Sequence, residues 1–105
     1  MRTPDVEAEI TLLAECGRQA AAHSGYRPAH KVRDDYFTTG VHHYIGCDVV
    51  LPGQTALGTI TFIAPEVYPH CLWVGRVIDI HEGSRVVGHA RVTRIMNAML
   101  ETNSA

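Results

Sequence analysis

A chain of 105 residues has room for one domain around one core. With 46% hydrophobic residues, 19% charged residues and a formal charge of −2, it reads as an ordinary globular protein. That composition excludes a disordered chain and a surface that is basic all round.

The sequence has no apolar run long enough for a membrane helix, so no membrane association is expected. Its start, Met1 to Glu7, lacks the apolar stretch of a secretory signal. Cys16, Cys47 and Cys71 are odd in number and lack C-x-x-C spacing, which fits free thiols in a cytoplasmic protein. Neither G-x-x-x-x-G-K-[ST] nor G-x-G-x-x-G is present, so GTP binding is not expected and no cofactor is predicted. The opening Met1 and the polar tail read as an independent gene product.

In chain order, the N-terminal segment supports two readings. Thr3-Pro4-Asp5 resembles a capped helix start followed by an alanine-rich stretch. Val6 to Leu12 instead alternates apolar and polar residues with strand period, and Gly17 would weaken a helix by about 1 kcal/mol. Residues 26–33 alternate as a strand. Pro52-Gly53 suits the centre of a type II turn. Residues 57–64, 72–80 and 86–95 are rich in β-branched and aromatic types and predict three more strands. Glu82-Gly83-Ser84-Arg85 predicts a hairpin tip with Glu82 paired to Arg85. From about Asn97 the tail is polar and expected to fray, with a helical turn available over 96–100.

Several stretches, in this order and near this spacing, point one way. They are Val6-Glu7-Ala8-Glu9-Ile10, Gly25-Tyr26-Arg27-Pro28 leading to Arg33, Leu51-Pro52-Gly53 followed by Ile60 to Pro65, and Glu82 to Gly88. They resemble the third, C-terminal domain of bacterial elongation factor Tu, with its F-E-A-E-V strand, G-Y-R-P strand, V-M-P-G-D turn and R-E-G-G-R-T-V-G hairpin. The likeness runs from about residue 5 to residue 96.

The resemblance implies an all-β, six-stranded antiparallel, Greek-key-like barrel. It also implies a first strand over 6–14 and a loop over 15–24. In the family this domain carries no catalytic residue; it helps grip the T-stem of aminoacyl-tRNA and packs on the GTPase domain and the middle barrel. Carried over by position, the T-stem contacts fall near Arg18, Gln19, Ala29, Thr38, Glu82 and Gly83. Arg18, Thr38, Glu82 and Gly83 keep the family's residue type; Gln19 replaces a histidine and Ala29 a glutamine. The segment from Pro65 to Gly75 is longer than in the family, and Arg91 stands where an apolar residue is usual.

Charge is uneven along the chain. Cys16 to Arg33 holds Arg18, Arg27, Lys31 and Arg33 without an acid, and in a strand Arg27, Lys31 and Arg33 share one face. That face suits either phosphate contacts along an RNA backbone or an ordinary solvated edge. His42, His43, Cys47, His70 and Cys71 supply metal-ligand types, but finger or ribbon spacing is missing. A hydrolase reading would use Cys71 or Cys47 with a histidine and Asp79. The 66–75 insertion carries Tyr68, His70 and Trp73, residue types favoured as interface anchors.

The sequence therefore predicts a non-enzymatic barrel that binds a protein partner through Tyr68, His70 and Trp73. That partner is translation machinery, or a toxin for which the chain mimics the elongation factor as an immunity protein. The alternative is binding of tRNA or another structured RNA, without DNA binding, through Arg18, Arg27, Lys31, Arg33, Thr38, Glu82 and Gly83.

Overall fold

The computed structural model describes residues 3–14, 20–33 and 36–102. Among the described residues eight strands are present: β1 (Val6–Leu12), β2 (Ala22–His23), β3 (Ala29–Arg33), β4 (Tyr36–Tyr44), β5 (Val49–Val50), β6 (Thr55–Phe62), β7 (Val77–Glu82) and β8 (Arg85–Ile95). Six of them close a barrel in the order β1-β6-β4-β3-β7-β8, with every pairing antiparallel. The predicted fold class is thus the observed one. The two short strands β2 and β5 form a separate ribbon.

The alternation of β1 places Val6, Ala8, Ile10 and Leu12 inside and Glu7, Glu9 and Thr11 outside, so the N-terminal segment is a strand. It ends at Leu12, short of residue 14, with the Leu13 N–H still donating to the Val87 carbonyl of β8. Ile60 and Phe62 of β6, Ile78 and Ile80 of β7, and Val87, Ala90 and Val92 of β8 complete the apolar lining. Closure leaves no free edge on the main sheet.

Two turns match their chemistry. Gln54 N–H donates to the Leu51 carbonyl at 2.9 Å and Gly53 sits at φ +88, as a type II turn requires. Glu82 pairs with Arg85 across a two-residue tip in which Gly83 takes φ +63, and their side chains form an ion pair at 3.6 Å.

Two further expectations are corrected, and one strand, β4, went unpredicted. The predicted strand over 72–80 begins only at Val77, because Trp73 to Arg76 form a turn closed by Arg76 N–H on the Trp73 carbonyl. β4, nine residues long, is not marked by apolar periodicity, since its inward positions include Thr38, Gly40 and His42. Residues 97–102 of the tail dock instead of fraying. Leu100 is fully buried, Leu72 N–H donates to its carbonyl, and Thr102 N–H donates back to Leu72, forming a parallel bridge between Leu72 and Glu101.

Asp5 fixes the other side of this closure. Its carboxylate accepts from the Phe62 N–H at 2.7 Å and from the Asn97 side-chain amide at 2.8 Å, while its carbonyl accepts from the Met96 and Asn97 N–H groups. A buried carboxylate is tolerated when donors surround it in this way.

Candidate binding surfaces

Strand β3 alternates inward His30 and Val32 with outward Lys31 and Arg33, and Arg27 is exposed in the segment leading into it. Lys31 lies opposite Phe37 and Arg33 opposite Tyr36 on β4. The Arg33 guanidinium donates to the Pro69 carbonyl at 2.8 Å, so one end of this basic strand is tied to the 65–76 segment. At the other end Ala29 lies opposite His81, followed along β7 by Glu82 and the Gly83 tip. Lys31 and Arg33 therefore share one outer wall, with Arg27 exposed just before it, whereas the Glu82 carboxylate accepts from the Tyr26 O–H and pairs with Arg85, and Gly83 lies at the hairpin tip. Arg18 lies outside the described residues.

Thr38 does not belong to that wall. It points inward, where its hydroxyl accepts from the Tyr68 O–H at 2.9 Å. Phe37, missed in the sequence, does belong: it is half-exposed and its ring meets His81 edge-on at 4.7 Å. His81 is buried beneath it, with neither ring nitrogen hydrogen-bonded among the described residues.

The protein-binding set divides as well. Tyr68 is fully buried, packed against Phe62 and Tyr36, and burial pushes its phenol up to about 12. It plugs the barrel end and presents no side chain to a partner. His70 adopts φ +60; its backbone N–H donates to the Met99 carbonyl at 2.8 Å and its Nδ1 donates to the Glu101 carbonyl at 3.0 Å, which ties the insertion to the tail. Only Trp73 stands outward with a free apolar face, 49% exposed, with the Arg76 guanidinium 5.1 Å from its ring centroid. Arg76 also donates to the Cys71 carbonyl, which holds the guanidinium in place.

The Trp73 turn continues into the exposed Val74 and Val77. It is anchored to β8 by Gly75 N–H on the Val92 carbonyl and Val92 N–H on the Arg76 carbonyl. Beyond Val77 the outer faces of β7, β8, β1 and β6 form an open concavity of about 440 Å³. Two rows cross its floor: Val77, Arg91 and Glu9, then Asp79, His89, Thr11 and Thr55. Arg91 and Glu9 are ion-paired, and the hydroxyls of Thr11 and Thr55 are 2.7 Å apart. Arg91 points outward and is held by a cross-strand pair with Glu9.

A nucleophilic role gains nothing at Cys71, whose thiol is pushed up by burial so that thiolate is scarce. Among the described residues no group of three His, Cys, Asp or Glu side chains is placed to hold a metal ion, and no helix is long and apolar enough to cross a membrane. His42 and His43 face opposite sides of the sheet, one buried and one exposed. No family model matches the chain.

Proposed function

We propose that this barrel is a non-catalytic binding module that engages a protein partner through the outer face running from the Trp73 turn across β7, β8 and β1. The observation that carries this reading is the Trp73–Val74–Val77 group. It exposes an indole and two valines in succession, on a turn pinned to β8, beside a concavity lined by an ion pair and hydroxyls. An ordered aromatic anchor with a polar surround is the pattern of an interface hot spot. With the motif resemblance to the third domain of elongation factor Tu, the reading extends to a protein that normally recognises that factor.

A second reading, tRNA binding, is favoured by the common outward direction of Arg27, Lys31 and Arg33. One experiment separates the two. A photo-crosslinker placed at Val74 and, separately, at Lys31 is activated in a bacterial extract, with and without excess elongation factor Tu. The protein reading expects a discrete protein adduct from position 74, reduced by the competitor and abolished by Trp73→Ala but not by Arg33→Ala. An RNA adduct from position 31 that weakens steeply with salt, with no protein adduct at 74, replaces it with the second reading.

A further inference from the structure

The barrel interior holds two fully buried imidazoles, His30 of β3 and His42 of β4, whose Nε2 atoms are 2.8 Å apart. His42 Nδ1 lies 3.1 Å from the Tyr44 hydroxyl, and His30 Nδ1 lies 3.3 Å from the Thr38 carbonyl. The last contact decides the rest. A carbonyl only accepts, so His30 Nδ1 carries a hydrogen and, in a neutral ring, its Nε2 is an acceptor. His42 Nε2–H then donates to His30 Nε2, which leaves His42 Nδ1 to accept from the Tyr44 O–H. With both rings neutral, this one polarity satisfies all four ring nitrogens.

Among the described residues no carboxylate bonds either ring, so a charge there has no direct counter-ion. Phe62 of β6 meets His30 edge-on at 5.5 Å, and Tyr26 meets His42 edge-on at 5.6 Å. The polar partners of the two rings are the carbonyls of Thr38 and Pro28, the Tyr44 hydroxyl and each other. Titratable groups reach the pair from four sides. These are Tyr26 before β3, Tyr44 and the outward His43 on β4, Glu82 on β7 (which accepts from the Tyr26 hydroxyl), and Tyr68, acting through Thr38. Desolvation lowers the pKa of His30 to about 4 and that of His42 well below its ordinary value, with the charge of His30 adding to the effect on His42.

We propose that the His30–His42 pair is a proton-operated lock on the β3–β4 wall, closed while both rings are neutral and opened by protonation. A first proton enters at His42 Nδ1, where Tyr44 can turn its hydroxyl from donor to acceptor. This places one uncompensated charge in an apolar interior. A second proton at His30 Nε2 sets two N–H groups against each other across 2.8 Å and forces the rings apart. The outer side of β3 carries Lys31 and Arg33, and Tyr26 links the segment before it to Glu82, so opening disorders the basic wall together with the core.

Imidazole ¹⁵N spectra of the intact chain, titrated from about pH 8 to about pH 4, test this without a variant. The expected result is an Nδ1–H tautomer for His30 and an Nε2–H tautomer for His42, both held neutral to about pH 5, then joint protonation with reversible loss of native β3 and β4 amide shifts. The double variant His30→Leu/His42→Phe, if folded, should keep native amide shifts at least about one pH unit further into acid. Either ring taking a proton near pH 6.5 while the strand amides stay native overturns the lock, as does the opposite tautomer in both rings.

Discussion

At the residue scale, the interior pair depends on an absence of side-chain atoms. Gly40 lies on β4 beside the two imidazoles, and a Cβ there would approach Ile60 Cγ2 to 2.7 Å and His30 Cε1 to 2.9 Å. Gly58 plays the same part for Ile10 and Tyr44, each within 3.2 Å of its missing Cβ. Neither glycine has a positive φ, so the requirement is steric and not conformational. Rings as large as imidazole fit a narrow barrel because the facing positions are empty. Gly40→Ala should therefore destabilise the fold by roughly 1–3 kcal/mol through overpacking. Urea unfolding should show a lower midpoint at an unchanged slope. An unchanged midpoint would mean that Ile60 and His30 yield without cost, and the tight packing assigned here would be wrong.

At the element scale, the sequence disclosed the strands whose inner face is uniformly apolar and concealed those whose inner face is mixed. β1 was readable as a strand, beside a helical alternative, because Val6, Ala8 and Ile10 recur with strand period, and β8 was readable from its valines and Ile95, although Val87 sits three residues before the next inward position, Ala90. β4 was not, because its buried positions are polar or vacant and its outward ones include Phe37 and Val41. The basic wall was legible from parity alone, since Lys31 and Arg33 must share a face. Thr38 could not be excluded from it until its partner across the barrel, Tyr68, was known. The insertion misled for a related reason. Composition shows that Tyr68, His70 and Trp73 are anchor types but not which way each points, and here one plugs the core, one fastens the tail and one stands outside. The tail was misread because the burial of Leu100 depends on a parallel bridge to a segment about thirty residues away. Leu100→Ala should cost roughly 2–5 kcal/mol, as for a fully enclosed leucine. Hydrogen exchange should quicken at the Leu72 and Thr102 amides, which the tail and insertion protect mutually. Loss of stability without faster exchange at those amides would show that Leu100 serves the barrel core and does not fasten the tail.

At the scale of the whole molecule, buried groups set the pH range of stability at both ends, and their signs are opposite. His30 takes up a proton at about 4 in the folded chain against 6.5 unfolded, so between these values the unfolded chain binds more protons. Its contribution is complete above pH 6.5 and is lost as pH falls toward 4, amounting to roughly 3 kcal/mol. His42 is shifted in the same direction and steepens the same limb. Tyr68 acts at the alkaline end. Its phenol ionises at about 12 when folded against 10.0 unfolded, because desolvation disfavours the phenolate. There the unfolded chain loses its proton first, so its contribution is complete below pH 10 and declines as pH rises toward 12. The expected profile of unfolding free energy is a plateau above about pH 6.5 that ends on the alkaline side where the buried Cys71 thiol, raised from 9.0, begins the decline that Tyr68 then deepens. Denaturant titrations at intervals of about one pH unit measure it directly. Tyr68→Phe should remove the alkaline phenol contribution and leave the acid limb in place, at the cost of an unpaired Thr38 hydroxyl. A maximum centred below pH 6 would contradict the neutral histidine pair. An alkaline limb unchanged in Tyr68→Phe would assign that fall to another group and leave the Tyr68 plug without a role in it.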